Sequence, residues 1–356
     1  RQFIAPSEEA GWHRFGQQHA ALDFVQPLQT VWALEKNGTG ARSYIVATRE
    51  DFWRRYRTLP CAFRHHYELI RAEYPCHLYL DIEFCRRANP DADGDRMMVT
   101  LLCELRAALR KLLGLEDGGT DDSAEWLQVV DLDSSGPTKF SRHLILRLRG
   151  GATAFADNAH CGRFILGLFA ELRSRRDAEP PIAELFVAPP IAATADGAPP
   201  PAAAAEATED AAGAAVGDSS TRVCIVDLSV YTRHRCFRLY KSSKLGKRAQ
   251  LLPAHTTEEE RFFMSHLDET KLFMESLVTN VEPDAVLLRV EGDATATGAG
   301  AGSQTSHARL LRAPAAAAAR QLLPGDCPHA ELTEFVLGAW AHKTGLGAYA
   351  SRWSID

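Results

Sequence analysis

Two hydrophobic rhythms run through the chain. Residues 95–114, DRMMVTLLCELRAALRKLLG, set apolar side chains three and four apart, the spacing of one helix face, and Gly114 supplies a left-handed stop. Residues 160–176, HCGRFILGLFAELRSRR, repeat that rhythm. Shorter helices are predicted over 49–59 (REDFWRRYRTL, with Thr48 as N-cap) and 12–26 (WHRFGQQHAALDFVQ), and across most of 259–279. The second rhythm is that of strands. TVWALEK and RSYIVAT flank NGTGA, a hairpin signature. YPCHLYLDIEF (74–84), EWLQVVDLDSS (125–135), KFSRHLILRLR (139–149), RVCIVDLSVY (222–231), RCFRLYKS (235–242) and QLLPA (250–254) also read as strands. The intermixed helices and strands place the chain in the α+β class, and no period of 20–50 residues repeats. Residues 187–217 and 291–320 are Ala/Pro/Gly-rich, lack a core-forming pattern and are expected to be disordered insertions.

Three of these strands carry polar groups where the rhythm asks for apolar ones. In LYLDIEF, Asp81 and Glu83 fall two apart and so share a face, roughly 7 Å from one another along the strand. Two carboxylates on an apolar strand are costly without a compensating positive charge. In KFSRHLIL, Lys139, Ser141 and His143 occupy one face and Phe140, Arg142 and Leu144 the other. In VCIVDLSVY, Asp227 interrupts an apolar run. Each has an ordinary explanation by itself: an edge strand, a hydrogen-bonded core histidine, a strand end. Taken together they meet one chemical need. Three carboxylates can hold two divalent cations, and a Lys/Ser/His row with nearby basic residues can hold a triphosphate.

Composition narrows the picture. Of 356 residues, 46% are hydrophobic and 24% charged, as in an ordinary globular protein, and no run approaches a membrane span. The eight cysteines are scattered without a C-x-x-C, which argues against a zinc ribbon or a disulfide scaffold and for a reducing compartment. The net charge is −6, yet residues 221–248 carry eight Lys/Arg against the single acid Asp227. That block is +7 in a chain whose remainder is −13, with Tyr231, Phe237 and Tyr240 interleaved, and it marks a place where anions are handled.

Asp-x-Glu on one strand, Ser-x-His on a second and Asp after an apolar run resemble the three catalytic motifs of the archaeo-eukaryotic primases. The stretches LYLDIEF…ANPDADG, LDSS…KFSRHLIL, VDLSVYTRHRCFRLYKSSKLGKR and EFVL…RWSI narrow the resemblance to the eukaryotic primase-polymerase family. VYTRHRCFRLYKSSKLGKR is long and unusual, whereas D-x-E and S-x-H alone are weak signals. The resemblance implies a catalytic core of two mixed α/β modules with antiparallel-type sheets forming a cleft. Residues 1–72 would be an N-terminal helix and small α/β module. Residues 73–356 would be an RRM-like catalytic module interrupted by disordered 187–220 and 291–325. It also implies roles. Asp81, Glu83 and Asp227 would ligate two Mg²⁺ or Mn²⁺ ions and carry catalysis. Arg42, Lys139, Ser141, His143, Arg235, Arg238 and Lys244 would bind the nucleotide, and Arg14 would lie near template DNA. Cys236 and His234 depart from the family, which has Asn at both positions, so a polar contact near the sugar or base is altered.

The implied activity is primer synthesis de novo and primer extension on single-stranded DNA from dNTPs, with NTP use open, and repriming past damaged sites in nucleus or mitochondrion. Monomeric behaviour, no membrane, and single-strand-binding proteins reached through regions outside this chain complete the implied partners. The opening RQFIAPSEEA lacks Met, and the chain ends at YASRWSID, near where the family's zinc-binding module would begin, with no Cys/His ligand cluster. It therefore reads as the catalytic domain alone, with no structural zinc. Two alternatives stay open on the residues alone: a metal-dependent nuclease, which carboxylate clusters suit equally well, and a non-catalytic nucleic-acid-binding module.

Overall fold

The computed structural model describes residues 11–37, 40–115, 126–189, 222–254 and 256–290, with short strands at 323–324 and 352–353. The chain divides into two compact units, Arg1–Leu311 and Arg312–Asp356. In the second, the described residues are the antiparallel pair Leu323–Pro324 and Arg352–Trp353. Apart from 187–189 and 323–324, the two predicted disordered insertions lie outside the described residues.

The first unit is mixed α/β with largely antiparallel sheets. Strand β1 (His13–Phe15) and helix α1 (Gln18–Phe24) replace the single helix expected over 12–26. His13–Phe15 pairs with the predicted hairpin instead, Arg14 standing opposite Ile45, and the break falls at Gly16 and Gln17. The hairpin forms as expected from β2 (Gln29–Glu35) and β3 (Arg42–Thr48), with Glu35 opposite Arg42. Helix α2 (Arg49–Tyr56) follows directly, and Thr48 caps it by accepting from the Asp51 amide. Strand β4 (His66–Ile70), buried throughout, joins β2. It carries His66 and Glu68 at core positions, which hid it from a hydrophobic-pattern reading.

The second sheet holds the polar strands. Strand β5 (Leu78–Cys85) pairs with β7 (Lys139–Leu148), which also pairs with β6 (Leu127–Asp133). Helix α3 (Gly94–Leu113) buries Met97, Met98, Leu101, Leu102, Leu105, Leu109 and Leu112 at the predicted spacing, and Gly114 ends it at φ 64°. Gly94 opens that helix directly against the Phe140 ring, where a Cβ would lie 2.3 Å from a ring carbon. Strand β8 (Thr153–Phe155) and helix α4 (Asn158–Arg175) follow; α4 shares one hydrophobic core with α3 and β5–β7.

Beyond α4 the chain departs from expectation in instructive ways. After α5 (Pro180–Glu184), Val187 belongs to strand β9 (Phe186–Val187), which pairs with β10 (Val223–Cys224), so the apolar pattern runs slightly past its expected limit. The strand predicted over 222–231 is cut short. Val226 makes one bridge to Ile82, and Asp227 then caps a short 3₁₀ turn, Leu228–Tyr231, by accepting from the Ser229 amide. Strand β11 (Arg235–Arg238) returns to the first sheet and pairs with β4, giving the order β1-β3-β2-β4-β11. Strand β12 (Leu252–Pro253), helices α6 (Glu258–Ser265) and α7 (Glu269–Glu275), and β13 (Val286–Leu288) complete the described part of this unit. Among the described residues, no helix is long and apolar enough to cross a membrane.

Candidate active site

The register of β5 against β7 brings two of the three polar motifs face to face. Asp81 stands opposite His143, Glu83 opposite Ser141, and Cys85 opposite Lys139. Residues directly opposed in an antiparallel pair point to the same side, so the acids and the Lys/Ser/His row share one face. The third motif arrives through the backbone. The Glu83 amide donates to the Ile225 carbonyl at 2.8 Å, and the Asp227 amide donates to the Asp81 carbonyl at 2.8 Å. Asp227 is thereby set beside Asp81.

The electrostatics follow from this crowding. Burial pushes the Asp81 carboxyl up to about 6, with the charges of Glu83 and Asp227 adding to the effect and Lys139 and Lys244 opposing it. One Asp81 oxygen, Oδ1, is buried without a hydrogen-bond partner. His143 Nε2 lies 3.6 Å from that oxygen, too far for a hydrogen bond. Nor is it an ion pair, because burial, then the charges of Arg238, Lys244 and Lys139, hold the His143 ring well below its ordinary value and so neutral at pH 7. The ring stacks on Phe237 with centroids 4.2 Å apart. His143 therefore offers a ligand a neutral N–H, not a cation.

The basic residues close in from β11 and the segment after it. Arg238 is buried; its Nη2 donates to Ser134 Oγ at 2.7 Å, and Nη1 donates to the Ala249 carbonyl. Ser134 Oγ in turn donates to Ser141 Oγ at 3.2 Å, and the Ser141 amide donates to Ser135 Oγ at 2.9 Å. Burial lowers Lys244, with Lys139 and Arg238 adding repulsion and Asp81 and Glu83 pulling back. Eight of the eleven expected residues, Asp81, Glu83, Asp227, Lys139, Ser141, His143, Arg238 and Lys244, thus feel one another's charge or adjoin through these bonds.

The other three, all on the first sheet, are not joined to that group by these bonds. Arg42 lies 5.2 Å from the Tyr67 ring centroid, the Tyr67 hydroxyl donates to Glu35, and Glu35 also accepts from the Leu245 amide at 3.1 Å. Arg235 opens β11 opposite Ile70, and its charge acts with that of Arg42 on Cys236, whose thiol burial pushes up. Arg14 is exposed on edge strand β1, and its charge reaches His66. His234 sits at φ 53°, the left-handed region where Asn is comfortable. Cys236 packs against Ala21, Val31, Val46 and Leu69, away from the stacked face of Phe237. Ser134, Ser135, Glu35 and Tyr67 join the site without having been singled out for it, while Phe237 was marked only as an aromatic interleaved in the basic block. Of the four, the serine pair left a trace, as two hydroxyls in the turn just before the Ser-x-His strand.

Three carboxylates, one with a buried unpartnered oxygen, match the hard-oxygen donor set of Mg²⁺ or Mn²⁺. They are not closed around a point: among the described residues, no three His, Cys, Asp or Glu side chains already form a metal cage. Part of the reason is visible, since Lys139 is ion-paired with Glu83.

No family model matches the chain. It is 34% identical to the DNA-directed primase/polymerase protein of Homo sapiens over 308 residues, 76% of this chain and 52% of that protein. To the Mus musculus protein of the same name it is 34% identical over 307 residues, covering 79% and 54%. To the Danio rerio one it is 32% identical over 284 residues, covering 76% and 50%. The chain spans about half the length of these curated relatives. With a third of its residues shared across three quarters of its length, and all three polar motifs converging on one face, the chain belongs to the DNA-directed primase/polymerase family.

Proposed function

We propose that the chain is the catalytic part of a DNA primase/polymerase that starts and extends primers on single-stranded DNA by two-metal nucleotidyl transfer. The observation that carries this is the cross-strand register, which sets Asp81 against His143 and Glu83 against Ser141, with Asp227 tied to the Asp81 backbone. Asp81, Glu83 and Asp227 would hold the divalent ions, Mg²⁺ or Mn²⁺. Once bound, those ions would supply Lewis-acid activation of a 3′-hydroxyl and neutralise the departing pyrophosphate. The protein's own groups do the rest. Arg238 and Lys244 neutralise the triphosphate, and Lys139 reaches it from the same face. Ser141 and the neutral His143 ring fix its orientation by donating O–H and N–H hydrogen bonds. Arg235 joins them on the triphosphate, Arg42 makes a further contact to the nucleotide, and Arg14 lies near the template strand from the exposed edge of the first sheet.

In this reading the protein works as a monomer in nucleus or mitochondrion, repriming beyond damaged template. The test is a primer-extension assay and a primer-free synthesis assay on single-stranded DNA with Mn²⁺ and with Mg²⁺. Template-directed products support the reading. Cleavage of the DNA without synthesis would point to a nuclease, and binding with neither would leave a nucleic-acid-binding module.

A further inference from the structure

Lys139 has two claims on it. It shares a strand face with Ser141 and His143, where the reading above gives it a phosphate to hold. In the structure its ammonium is instead hydrogen-bonded and ion-paired to Glu83 Oε2. Lys139 stands opposite Cys85, so Glu83 is its diagonal cross-strand neighbour, within reach of a long side chain. The contact is open to exchange: the two side chains are 43% and 37% exposed. Arg142, on the other face of the same strand, is 8% exposed against a fully buried Asp131.

We propose that Lys139 is a built-in counter-ion that occupies the acidic cluster while it is unloaded and is displaced by a divalent cation. The inference rests on the metal reading given above. Asp81, Glu83 and Asp227 repel one another, and a folded chain without metal needs a positive group among them. Lys139 supplies it at Glu83. A divalent cation taking that carboxylate both removes the lysine's partner and repels its ammonium. The freed ammonium then lies on the face where a triphosphate would need it. Metal and nucleotide are thereby coupled: each makes room for, or use of, what the other releases, and the coupling must be reciprocal. The same exchange makes the cation alone bind more weakly than the three carboxylates would allow.

The experiment is calorimetric or paramagnetic titration of the whole chain with Mn²⁺ alone, no DNA or nucleotide present. Lys139→Met is expected to tighten Mn²⁺ binding by about 2- to 5-fold, the range of a half-exposed ion pair. Lys139→Arg, which keeps a cation able to reach Glu83, should return the affinity to that of the unaltered chain. The same Lys139→Met chain should bind dNTP less well, which separates exchange from a general improvement of the site. Unchanged or weaker Mn²⁺ binding by a folded Lys139→Met chain would overturn the proposal while leaving the metal site standing. Failure of the unaltered chain to bind Mn²⁺ would overturn both.

Discussion

Strand β7 has two charged faces, and they are built on opposite plans. On one, Arg142 donates to Asp131 at 2.8 Å and to Asp95 at 2.6 Å, with Asp133 3.7 Å away, while Thr256 also donates to Asp131. On the other, Lys139, Ser141 and His143 confront acids, and each face leaves one buried carboxylate oxygen without a hydrogen bond, Asp131 Oδ1 and Asp81 Oδ1. Both faces hold a buried carboxyl pushed upward chiefly by burial, Asp131 to about 7 and Asp81 to about 6. What differs is the next influence. For Asp131 it is the cation Arg142, pulling down; for Asp81 it is two more acids, pushing up. The first face pairs its buried carboxyl with a cation of the same protein, though Asp131 Oδ1 and Arg142 Nε make no hydrogen bond. The second sets its acids beside one another, and in the proposed function a bound cation answers them. A buried charge is thus informative about function when the protein has not itself neutralised it.

The comparison can be broken by removing one acid from each face. Asp81→Asn, Glu83→Gln and Asp227→Asn should each reduce synthesis by roughly a thousand-fold or more, because in the proposed function each removes a metal oxygen that no neighbour replaces. The fold should survive, and metal-free Asp81→Asn should melt higher than the unaltered chain, since a repelling charge is gone. Asp131→Ala should do the reverse. It takes from Arg142 its one fully buried partner, leaving Asp95 and Asp133, and removes the acceptor of the Thr256 hydroxyl, at about 1–3 kcal/mol of stability. Melting curves and extension assays on both variants decide it. Full activity in Asp81→Asn, or an Asp131→Ala chain as stable as its parent, would erase the distinction between the faces.

The next effect sharpens the functional face. His143→Asn and Arg238→Ala should raise the apparent KM for dNTP by about 10- to 150-fold, the loss of one charge-assisted or buried contact. Binding of primer-template, measured by gel shift, should change little, because its affinity rests on other phosphates. The two effects should be less than additive, since both side chains serve one ligand and both pack around β11. A weakened gel shift with unchanged KM would make Arg238 a DNA-backbone contact instead.

How much of this could be read from the chain alone depends on the range of the interaction. Local rules worked: the Gly114 stop, the Thr48 cap and the alternation that put Asp81 with Glu83 and Lys139 with His143 all follow from neighbours in sequence. That the two polar faces coincide does not follow, because a one-residue slip of β5 against β7 would set the acids against Phe140 and Arg142. The return of β11 to β4 was equally hidden, as a pairing between residues more than 160 positions apart. The turn at Asp227 was misread for a nearer cause: its carboxylate takes the Ser229 amide and bends a chain that the apolar run alone would have kept extended.

A pH experiment separates Asp81 from the rest of the molecule. Its folded value of about 6 exceeds the ordinary 3.8, so the folded chain holds this proton where the unfolded chain has lost it. This carboxyl therefore makes stability fall as pH rises from about 4 to about 6, by roughly 1–3 kcal/mol in all. Buried His66 and His77, both near 3 when folded, act with the opposite sign over much of that window, so the useful quantity is a difference. The stability gained by metal-free Asp81→Asn should grow from pH 4 to 6 and level off above. A difference that does not vary with pH would mean that neither burial nor the acid neighbours raise Asp81, and the contrast between the two faces would lose its basis.

The smallest expected effect falls on Ser134, which belongs to neither set of charges. Its hydroxyl accepts from Arg238 at 2.7 Å and donates to Ser141 at 3.2 Å, so it links the basic strand β11 to the Ser-x-His strand β7. Ser134→Ala leaves both charged faces intact. Arg238 keeps one longer bond, to the Ala249 carbonyl at 3.3 Å, and so stays near its place with greater freedom. The variant loses two hydrogen bonds, and the one that holds Arg238, of about 0.5–1.5 kcal/mol, should raise the dNTP KM roughly 2- to 12-fold, with kcat and Mn²⁺ affinity unchanged. Ser134→Thr, which keeps the hydroxyl, should recover most of the loss. The measurement is steady-state extension against dNTP concentration, beside an Mn²⁺ titration. A fall in kcat with KM unmoved would assign Ser134 to the reacting centre, and the division between a face that holds phosphate and a cluster that holds metal would have to be redrawn.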